Sequence, residues 1–243
     1  MKITEYENAK IRVIENFISK EDCDWIIKYV NSLNRWDMCN ATRSQFPNEE
    51  EYRLIADQWD NRKFDLSVVY AEKKYPDLFK KIWDNQNRAK EEVLKFFNLD
   101  DSDITIECLE VVKWYYPFQQ APHVDYYNET FLDSDFPNGF LMPDNIKEVY
   151  LKHLTTKNFT TMLYLNNDFT GGELYFPVHN ITIKPEPGML VLFSGDPTMP
   201  HGINQITEGT RYVNTAFWAK TPYDKYSLAK ELADGSFDEY WTK

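Results

Sequence analysis

The spacing of apolar residues changes at Ile104 from a helical period to short extended runs, and no other feature constrains the fold as strongly. The first run covers residues 104–116. Others follow near residues 159–166, 172–176, 181–183, 189–193, 201–206 and 211–218. Turn signals such as Pro187-Gly188 separate them. Many short strands divided by turns are typical of a β-sandwich or β-barrel, so we expect such a core in the second half of the chain.

The region before this core, residues 1–103, predicts helices that pack against the sheets. Ser19, with Asp22 three residues later, resembles a capping box at a helix start. Apolar residues at helical spacing follow it: Cys23, Ile26, Ile27, Val30 and Leu33. They predict a first helix of about 15 residues. A second, longer helix is predicted from Pro76, because proline is favoured at the first helical position.

His123 and Asp125 stand two residues apart on an extended segment, where alternate side chains project to the same side. One imidazole and one carboxylate would therefore face a single point. His201, which follows the apolar run 189–193, offers a second imidazole. Two histidines and one carboxylate can hold non-haem Fe(II) and leave other coordination positions open. A lone histidine is usually an ordinary buried residue, and His153 and His179 have no such neighbours.

Arg211 begins the last extended run, ten residues after His201. Between them, the segment 207–210 contains Gly209, which can supply a positive φ, and it predicts a hairpin turn. That hairpin would place Arg211 about 16 Å along the strand from His201. A short dicarboxylate would fit between them, gripped by two parallel hydrogen bonds from the guanidinium. A structural ion pair is the alternative role for this arginine.

Taken together, His123-x-Asp125, His201 and Arg211 resemble the iron(II)/2-oxoglutarate-dependent dioxygenases, in particular the prolyl 4-hydroxylase-like branch. The runs 161–166, 171–177 and 184–193 are also similar to that family. The resemblance is good over residues 104–219 and looser over 1–33. It implies an α+β fold with a double-stranded β-helix core of the jelly-roll or cupin kind, which the number of short strands also suits.

The domain organisation follows from the same resemblance. We expect a single domain over residues 1–243, with a helical support region at 1–103, the core at 104–219 and a C-terminal extension at 220–243. Residues 126–158 would be an insertion in the core. Loops of this length are usually functional or disordered, and we expect this one to act as a lid.

The resemblance also implies the chemistry. His123, Asp125 and His201 would bind Fe(II), and 2-oxoglutarate would chelate the metal and reach Arg211 and Tyr164 with its distal carboxylate. A further aromatic contact is expected upstream. Ungapped spacing favours Trp114, whereas the Tyr-Pro pair favours Tyr116, with Tyr115 between them; we select Tyr116. The reaction would use O2, with ascorbate as an accessory cofactor, and convert 2-oxoglutarate to succinate while a substrate C–H bond is hydroxylated.

The substrate implied by the resemblance is a proline residue in an extended peptide, bound under the inserted segment. The same chemistry on a small molecule or on another residue is an open alternative. A non-catalytic cupin-like binding module is a further alternative from a different class, although a complete ligand set with Arg211 makes it the weaker one.

Composition limits the partners. The chain has 39 acidic and 27 basic side chains, giving a net charge of −12, and this sign opposes binding to nucleic acid. No apolar run approaches the length of a membrane span, and the polar N-terminus predicts no signal peptide. The three cysteines are widely spaced, which predicts reduced thiols. We therefore expect a cytoplasmic protein; the sequence carries no signal for its oligomeric state.

Overall fold

The computed structural model describes residues 2–32, 63–65, 75–125 and 157–220. Within these ranges the chain forms two antiparallel sheets, with helices on the outer face of the larger one. The helices are α1 (Lys20–Ser32) and α2 (Pro76–Phe97), and short 3-10 turns cover Glu7–Ala9, Asp101–Asp103 and Pro177–His179. The strands are β1 (Lys2–Tyr6), β2 (Ile11–Glu15), β3 (Lys63–Asp65), β4 (Ile104–Tyr115), β5 (Gln120–His123), β6 (Phe159–Tyr164), β7 (Phe169–Thr170), β8 (Leu174–Phe176), β9 (Ile181–Ile183), β10 (Leu190–Ser194), β11 (His201–Ile203) and β12 (Glu208–Lys220).

Both predicted helices are confirmed. At the start of α1, the Ser19 hydroxyl accepts a hydrogen bond from the Asp22 backbone N–H at 3.1 Å, as expected of an N-cap. Helix α2 begins at Pro76, and it ends where Asn98 takes a left-handed conformation with φ of 52°. Each helix buries one apolar stripe, as its sequence period requires.

The larger sheet has the strand order β1-β2-β10-β6-β12-β4-β3, and β7 pairs with the start of β12. Strand β12 lies near its centre and pairs with both β4 and β6. Strands β1 and β2 lie in the region for which the sequence predicted only helical support. They form a hairpin that extends the sheet at β10. The N-terminal region therefore adds strands as well as helices to the core.

The smaller sheet has the order β5-β11-β8-β9. The predicted hairpin between the runs 201–206 and 211–218 is wrong, because β11 pairs with β5 and β8 whereas β12 belongs to the larger sheet. The chain between them crosses from one sheet to the other. Gly209 does have the predicted positive φ, of 79°, but it faces Phe169 of β7. The turn signal was local, whereas strand pairing depends on which distant strands complete each buried sheet.

Apolar side chains form two clusters, one on each face of the larger sheet. On the outer face, Ile26 of α1 and Ile82 of α2 pack with sheet residues such as Leu163 and Leu192. Between the two sheets, Met162 and Val213 of the larger sheet pack with Phe176 of the smaller one. This inner cluster is the scaffold of the site described below.

Several predicted features fall outside the described residues. These are residues 126–156 of the expected lid and residues 221–243 of the expected C-terminal extension. Among the residues that the structure describes, no helix combines the length and apolarity needed to cross a membrane. The thiol of Cys23 is free and buried, and its burial raises its pKa to about 11.

Candidate active site

The smaller sheet brings His123, Asp125 and His201 together. His123 is the last residue of β5 and His201 the first of β11, and the two are direct partners in the antiparallel register. Their ring centroids are 4.5 Å apart. Asp125 follows two residues after the end of β5. One ligand atom from each residue lies within 4.8 Å of the other two, so three residues distant in sequence converge on one point.

Backbone carbonyls orient both imidazole rings. Nδ1 of His123 lies 3.0 Å from the Ala121 carbonyl oxygen, and Nδ1 of His201 lies 3.1 Å from that of Met199. A carbonyl oxygen only accepts, so the proton belongs on Nδ1 and the lone pair on Nε2. The Nε2 atoms lie 3.8 and 3.6 Å from the two oxygens of Asp125. Second hydrogen bonds of this kind orient histidines for metal coordination.

Burial and charge keep His123 and Asp125 in the protonation states that a metal ligand requires. Burial, together with the neighbouring His201, lowers the pKa of His123 to about 4 against the opposing attraction of Asp125. Burial alone would raise the pKa of Asp125, but His201 and His123 hold that pKa below its usual value. At neutral pH the site therefore offers a neutral His123 and an ionised Asp125.

Two further residues, neither of them part of a sequence motif, contact these side chains. The Thr160 hydroxyl donates to Oδ2 of Asp125 at 2.5 Å. The Gln120 amide nitrogen lies 3.1 Å from Nε2 of His123. Period-two alternation on β6 could have placed Thr160 on the same face as Tyr164, whereas no sequence signal identified Gln120.

Tyr164 belongs to the inner cluster, Arg211 contacts it, and both are fully buried. One guanidinium nitrogen, Nη2, donates to the Tyr164 hydroxyl at 3.3 Å. The Nε and Nη1 atoms of Arg211 are buried and have no hydrogen-bond partner among the described residues. Buried N–H donors normally have acceptors, so the unpaired donors on this guanidinium leave it able to bind an anion such as a carboxylate.

Strand β6 links the two ends of the site. Thr160, Met162 and Tyr164 alternate along it, and the Tyr164 hydroxyl lies 3.9 Å from the Met162 sulfur. Thr160 and Tyr164 are about 13 Å apart along the strand at the usual rise per residue. One end of this face carries the histidine–aspartate cluster, which Thr160 contacts, and the other carries Tyr164 with Arg211. The donor set therefore fits both a divalent iron and an elongated dianion.

Gly172 explains how the Arg211 side chain is accommodated. Its φ is +71°, and a Cβ atom there would lie 3.2 Å from Cδ of Arg211 and 3.1 Å from Ile206. Any larger residue would therefore crowd the arginine stem. Gly172, which lies in the run 171–177, thus borders the Arg211 side chain.

The aromatic residues before His123 occupy different environments. Trp114 is the register partner of Arg211 across β4 and β12, is buried, and stacks on Phe118 with centroids 3.7 Å apart. Tyr116, the residue selected from sequence, is 63% exposed beyond the end of β4. His179 lies on an exposed 3-10 turn, where it contacts the Thr198 carbonyl and takes no part in the cluster.

Comparisons with known proteins agree with this arrangement. Residues 112–219 match the model of the 2OG-Fe(II) oxygenase superfamily. Mouse prolyl 3-hydroxylase 3 is 35% identical over 86 residues, which is 32% of this chain and 12% of that protein. Human prolyl 3-hydroxylase 2 is 35% identical over 69 residues, 26% of this chain and 10% of that protein. The chain thus spans about a tenth of the length of these curated relatives.

Solved structures show the same fold at low identity. One is the viral collagen prolyl hydroxylase from Paramecium Bursaria Chlorella virus-1 in its 2OG complex, with a TM-score of 0.54 and 15% identity. The alignment covers 86% of this chain and 95% of that one. Another is a prolyl hydroxylase from Trichoplax adhaerens in complex with a hypoxia inducible factor peptide fragment. Its TM-score is 0.56 at 13% identity, covering 87% of this chain and 84% of that one.

Proposed function

We propose, from the match of residues 112–219 to the model of the 2OG-Fe(II) oxygenase superfamily, that this chain is an Fe(II)- and 2-oxoglutarate-dependent hydroxylase of proline in peptides. The observation that carries the proposal is the pairing of two features in one interior. A cluster of two histidines and one aspartate lies on the smaller sheet, and a buried arginine with unpaired donors lies on the larger one.

We further propose that the two sheets form a double-stranded β-helix within a single domain. The inner cluster supports this, because side chains of both sheets pack against each other in it. The likeness to solved prolyl hydroxylases also supports it, since it extends over most of the chain.

His123, Asp125 and His201 would hold the metal. Their two imidazole Nε2 atoms and one carboxylate provide three ligands on one side, and leave the opposite positions open to other groups. His123 is the most accessible of the three, with 20% of its side chain exposed against 8% for Asp125 and 6% for His201. We therefore place the approach of the substrate on the His123 side.

Arg211 and Tyr164 would bind the distal carboxylate of 2-oxoglutarate. The guanidinium, whose Nε and Nη1 donors are unpaired among the described residues, would donate hydrogen bonds to it, and the Tyr164 hydroxyl would supply a further one. Trp114 lies opposite Arg211 in the register, so it is the aromatic wall that the structure favours for this pocket over Tyr116. The rings of Phe193 and Phe176 pack beside His201 and exclude water from its buried side.

When bound, Fe(II) supplies the oxidative chemistry that uses O2 and couples the decarboxylation of 2-oxoglutarate to C–H hydroxylation. The protein's own contribution is orientation. The two carbonyl-bonded imidazoles present their lone pairs to a common point, and Arg211 holds the co-substrate at one end. The surrounding apolar cluster keeps the reaction away from bulk water.

A peptidyl proline is the substrate that the relatives favour, since those named above are prolyl hydroxylases. The curated relatives are 3-hydroxylases by name, and the sequence resemblance was to the 4-hydroxylase-like branch. The site of hydroxylation on the ring is therefore an outcome for experiment to determine.

The experiment is a panel of proline-containing peptides incubated with the purified protein, Fe(II), 2-oxoglutarate, ascorbate and air. We expect succinate formation that rises with peptide, together with a peptide mass gain of about 16 Da per oxygen atom inserted at a C–H bond. Amino-acid analysis of the product then distinguishes 3- from 4-hydroxyproline. Omitting 2-oxoglutarate is the matched control, and it should abolish the mass gain.

Three results would change the proposal. Mass gain on a free amino acid or metabolite, but on no peptide, would make the protein a small-molecule hydroxylase. Oxidation of a residue other than proline would change the substrate class only. Absence of succinate with metal bound would favour a non-catalytic binding module.

A further inference from the structure

Thr160 makes the shortest contact that the structure describes to any of the three predicted metal ligands. Its hydroxyl donates to Oδ2 of Asp125 at 2.5 Å, a length typical of a hydroxyl bonded to an ionised carboxylate. Thr160 is 2% exposed and Asp125 is 8% exposed. Because both side chains are buried, bulk water has little access to this hydrogen bond.

Asp125 lies beyond the strand ladder that holds His123. The last register pair of β5 is His123 with His201, and Asp125 follows two residues later. Thr160, in contrast, lies within the larger sheet, paired with Phe193 of β10 on one side and Phe217 of β12 on the other. The hydroxyl thus connects a carboxylate outside the ladder to a rigid strand of the opposite sheet.

The next residue, Thr161, attaches strand β6 to its neighbours on the opposite face of the sheet. Its side chain points to the other face of β6, where it donates to the Gln86 side-chain oxygen at 2.9 Å and accepts from the Trp218 indole N–H at 3.0 Å. Gln86 in turn donates to Asn214 of β12 at 2.8 Å. The adjacent threonines therefore have different roles, because Thr161 attaches β6 to α2 whereas Thr160 faces the metal ligands.

We propose that Thr160 is a positioning residue, which holds the carboxylate of Asp125 in the orientation that completes the metal site. The hydroxyl binds one oxygen, Oδ2, and leaves Oδ1 free to serve as the ligand, beside Nε2 of His123 at 3.8 Å. Without the hydroxyl the carboxylate could rotate away from the two histidines. The inference rests on the proposed function, because it concerns the metal of that site.

The test compares three variants by titration with Co(II) under argon, using the visible absorption of the bound ion and no turnover. Thr160→Val keeps the shape but removes the hydroxyl, and Thr160→Ser restores the hydroxyl. Thr161→Val is the matched control, since it removes the neighbouring hydroxyl on the other face. Anaerobic Fe(II) binding is measured in parallel.

We expect Thr160→Val to weaken Co(II) binding about 10- to 100-fold, as is usual when a residue that supports a metal ligand is lost, and to change the Co(II) spectrum. Thr160→Ser should recover both the affinity and the spectrum. Thr161→Val should unfold more easily than the wild type but keep its Co(II) affinity. This pattern separates a positioning role from a general loss of stability.

An affinity of Thr160→Val within twofold of the wild type, with an unchanged spectrum, would overturn the inference and leave the proposed function intact. Equal weakening in Thr160→Val and Thr161→Val would also overturn it, since the effect would then be structural. Failure of the wild-type protein to bind either Co(II) or Fe(II) would instead overturn the proposed function.

Discussion

Arg211 carries a buried charge that the described protein groups compensate only in part. Burial lowers the pKa of its guanidinium, opposed by the contact with Tyr164, and two of its donors have no partner in the described ranges. A buried cation of this kind is costly for the fold without an anion. An anionic ligand bound to Arg211 would offset this cost.

We predict that Arg211→Met weakens 2-oxoglutarate binding strongly while leaving metal binding nearly unchanged. Removing one partner of a buried hydrogen-bonded charge pair typically costs about 2–5 kcal/mol. In the absence of co-substrate, the variant should be as stable as the wild type or more so, because the unpaired charge is gone. Calorimetric titration with Co(II) present, and thermal melting without ligands, measure the two effects.

Arg211→Lys is the matched control for charge. It keeps the positive charge but loses the fork of donors, so its 2-oxoglutarate affinity should lie between those of the wild type and Arg211→Met. Wild-type affinity in the methionine variant would mean that the co-substrate binds elsewhere.

The metal ligands give the second prediction. Asp125→Ala and His201→Ala should each abolish uptake of about one Fe(II) per chain, because each removes one of three protein ligands. Metal content after anaerobic loading and gel filtration is the measurement. His179→Ala is the matched control, since this partly exposed histidine lies outside the cluster, and it should bind iron normally. Full iron content in the Asp125 or His201 variant would contradict the assignment.

At the scale of elements, helix α2 is attached to the larger sheet by polar contacts as well as by its apolar stripe. Gln86 is 1% exposed, donates to Asn214 and accepts from Thr161. Asn214 also donates to the Glu110 carbonyl at 2.9 Å. These bonds fix the position of α2 along β6 and β12, directly behind the candidate active site.

We predict that Gln86→Ala lowers the free energy of unfolding by about 1–3 kcal/mol for each buried group left without its partner. Asn87→Ala, one residue away on the exposed side of α2, is the matched control and should change stability by less than about 0.5 kcal/mol. Urea denaturation followed by tryptophan fluorescence measures both. Equal effects of the two substitutions would show that the buried bonds contribute little.

At the scale of the whole molecule, the predicted ligands lie on two sheets. The metal cluster is on β5, β11 and the segment after β5, whereas Arg211 and Tyr164 are on β12 and β6 of the other sheet. A ligand that spans both groups should therefore stabilise the two sheets against separation, in addition to the apolar cluster between them.

We accordingly predict that Co(II) with 2-oxoglutarate, under argon, raises Tm more than the sum of the two added separately. A ligand at 100 times its Kd stabilises the native state by about 2.7 kcal/mol, which corresponds to roughly 5–11 °C for a chain of this size. Succinate with Co(II) is the control, since it lacks the chelating keto acid and should give a smaller shift. Strictly additive shifts would argue against one ligand contacting both groups.

The sequence by itself determined the local features of this protein. Period and capping predicted α1 and α2, and extended runs predicted most strands from Ile104 onward, because these patterns arise from neighbours a few residues apart. The His-x-Asp spacing and the order of His201 and Arg211 carried the resemblance to the superfamily whose model matches residues 112–219. Residues such as Tyr164 followed from the same resemblance, and the structure brings Tyr164 into contact with Arg211.

Only the tertiary structure decided which strands are neighbours. The turn at Gly209 indicated a hairpin, yet β11 and β12 belong to different sheets, because pairing depends on burying both faces of each strand against distant segments. The bond of Thr160 to Asp125 and the position of Trp114 opposite Arg211 are likewise non-local. Each joins residues whose proximity comes from sheet register or chain curvature, which no single segment of the sequence encodes.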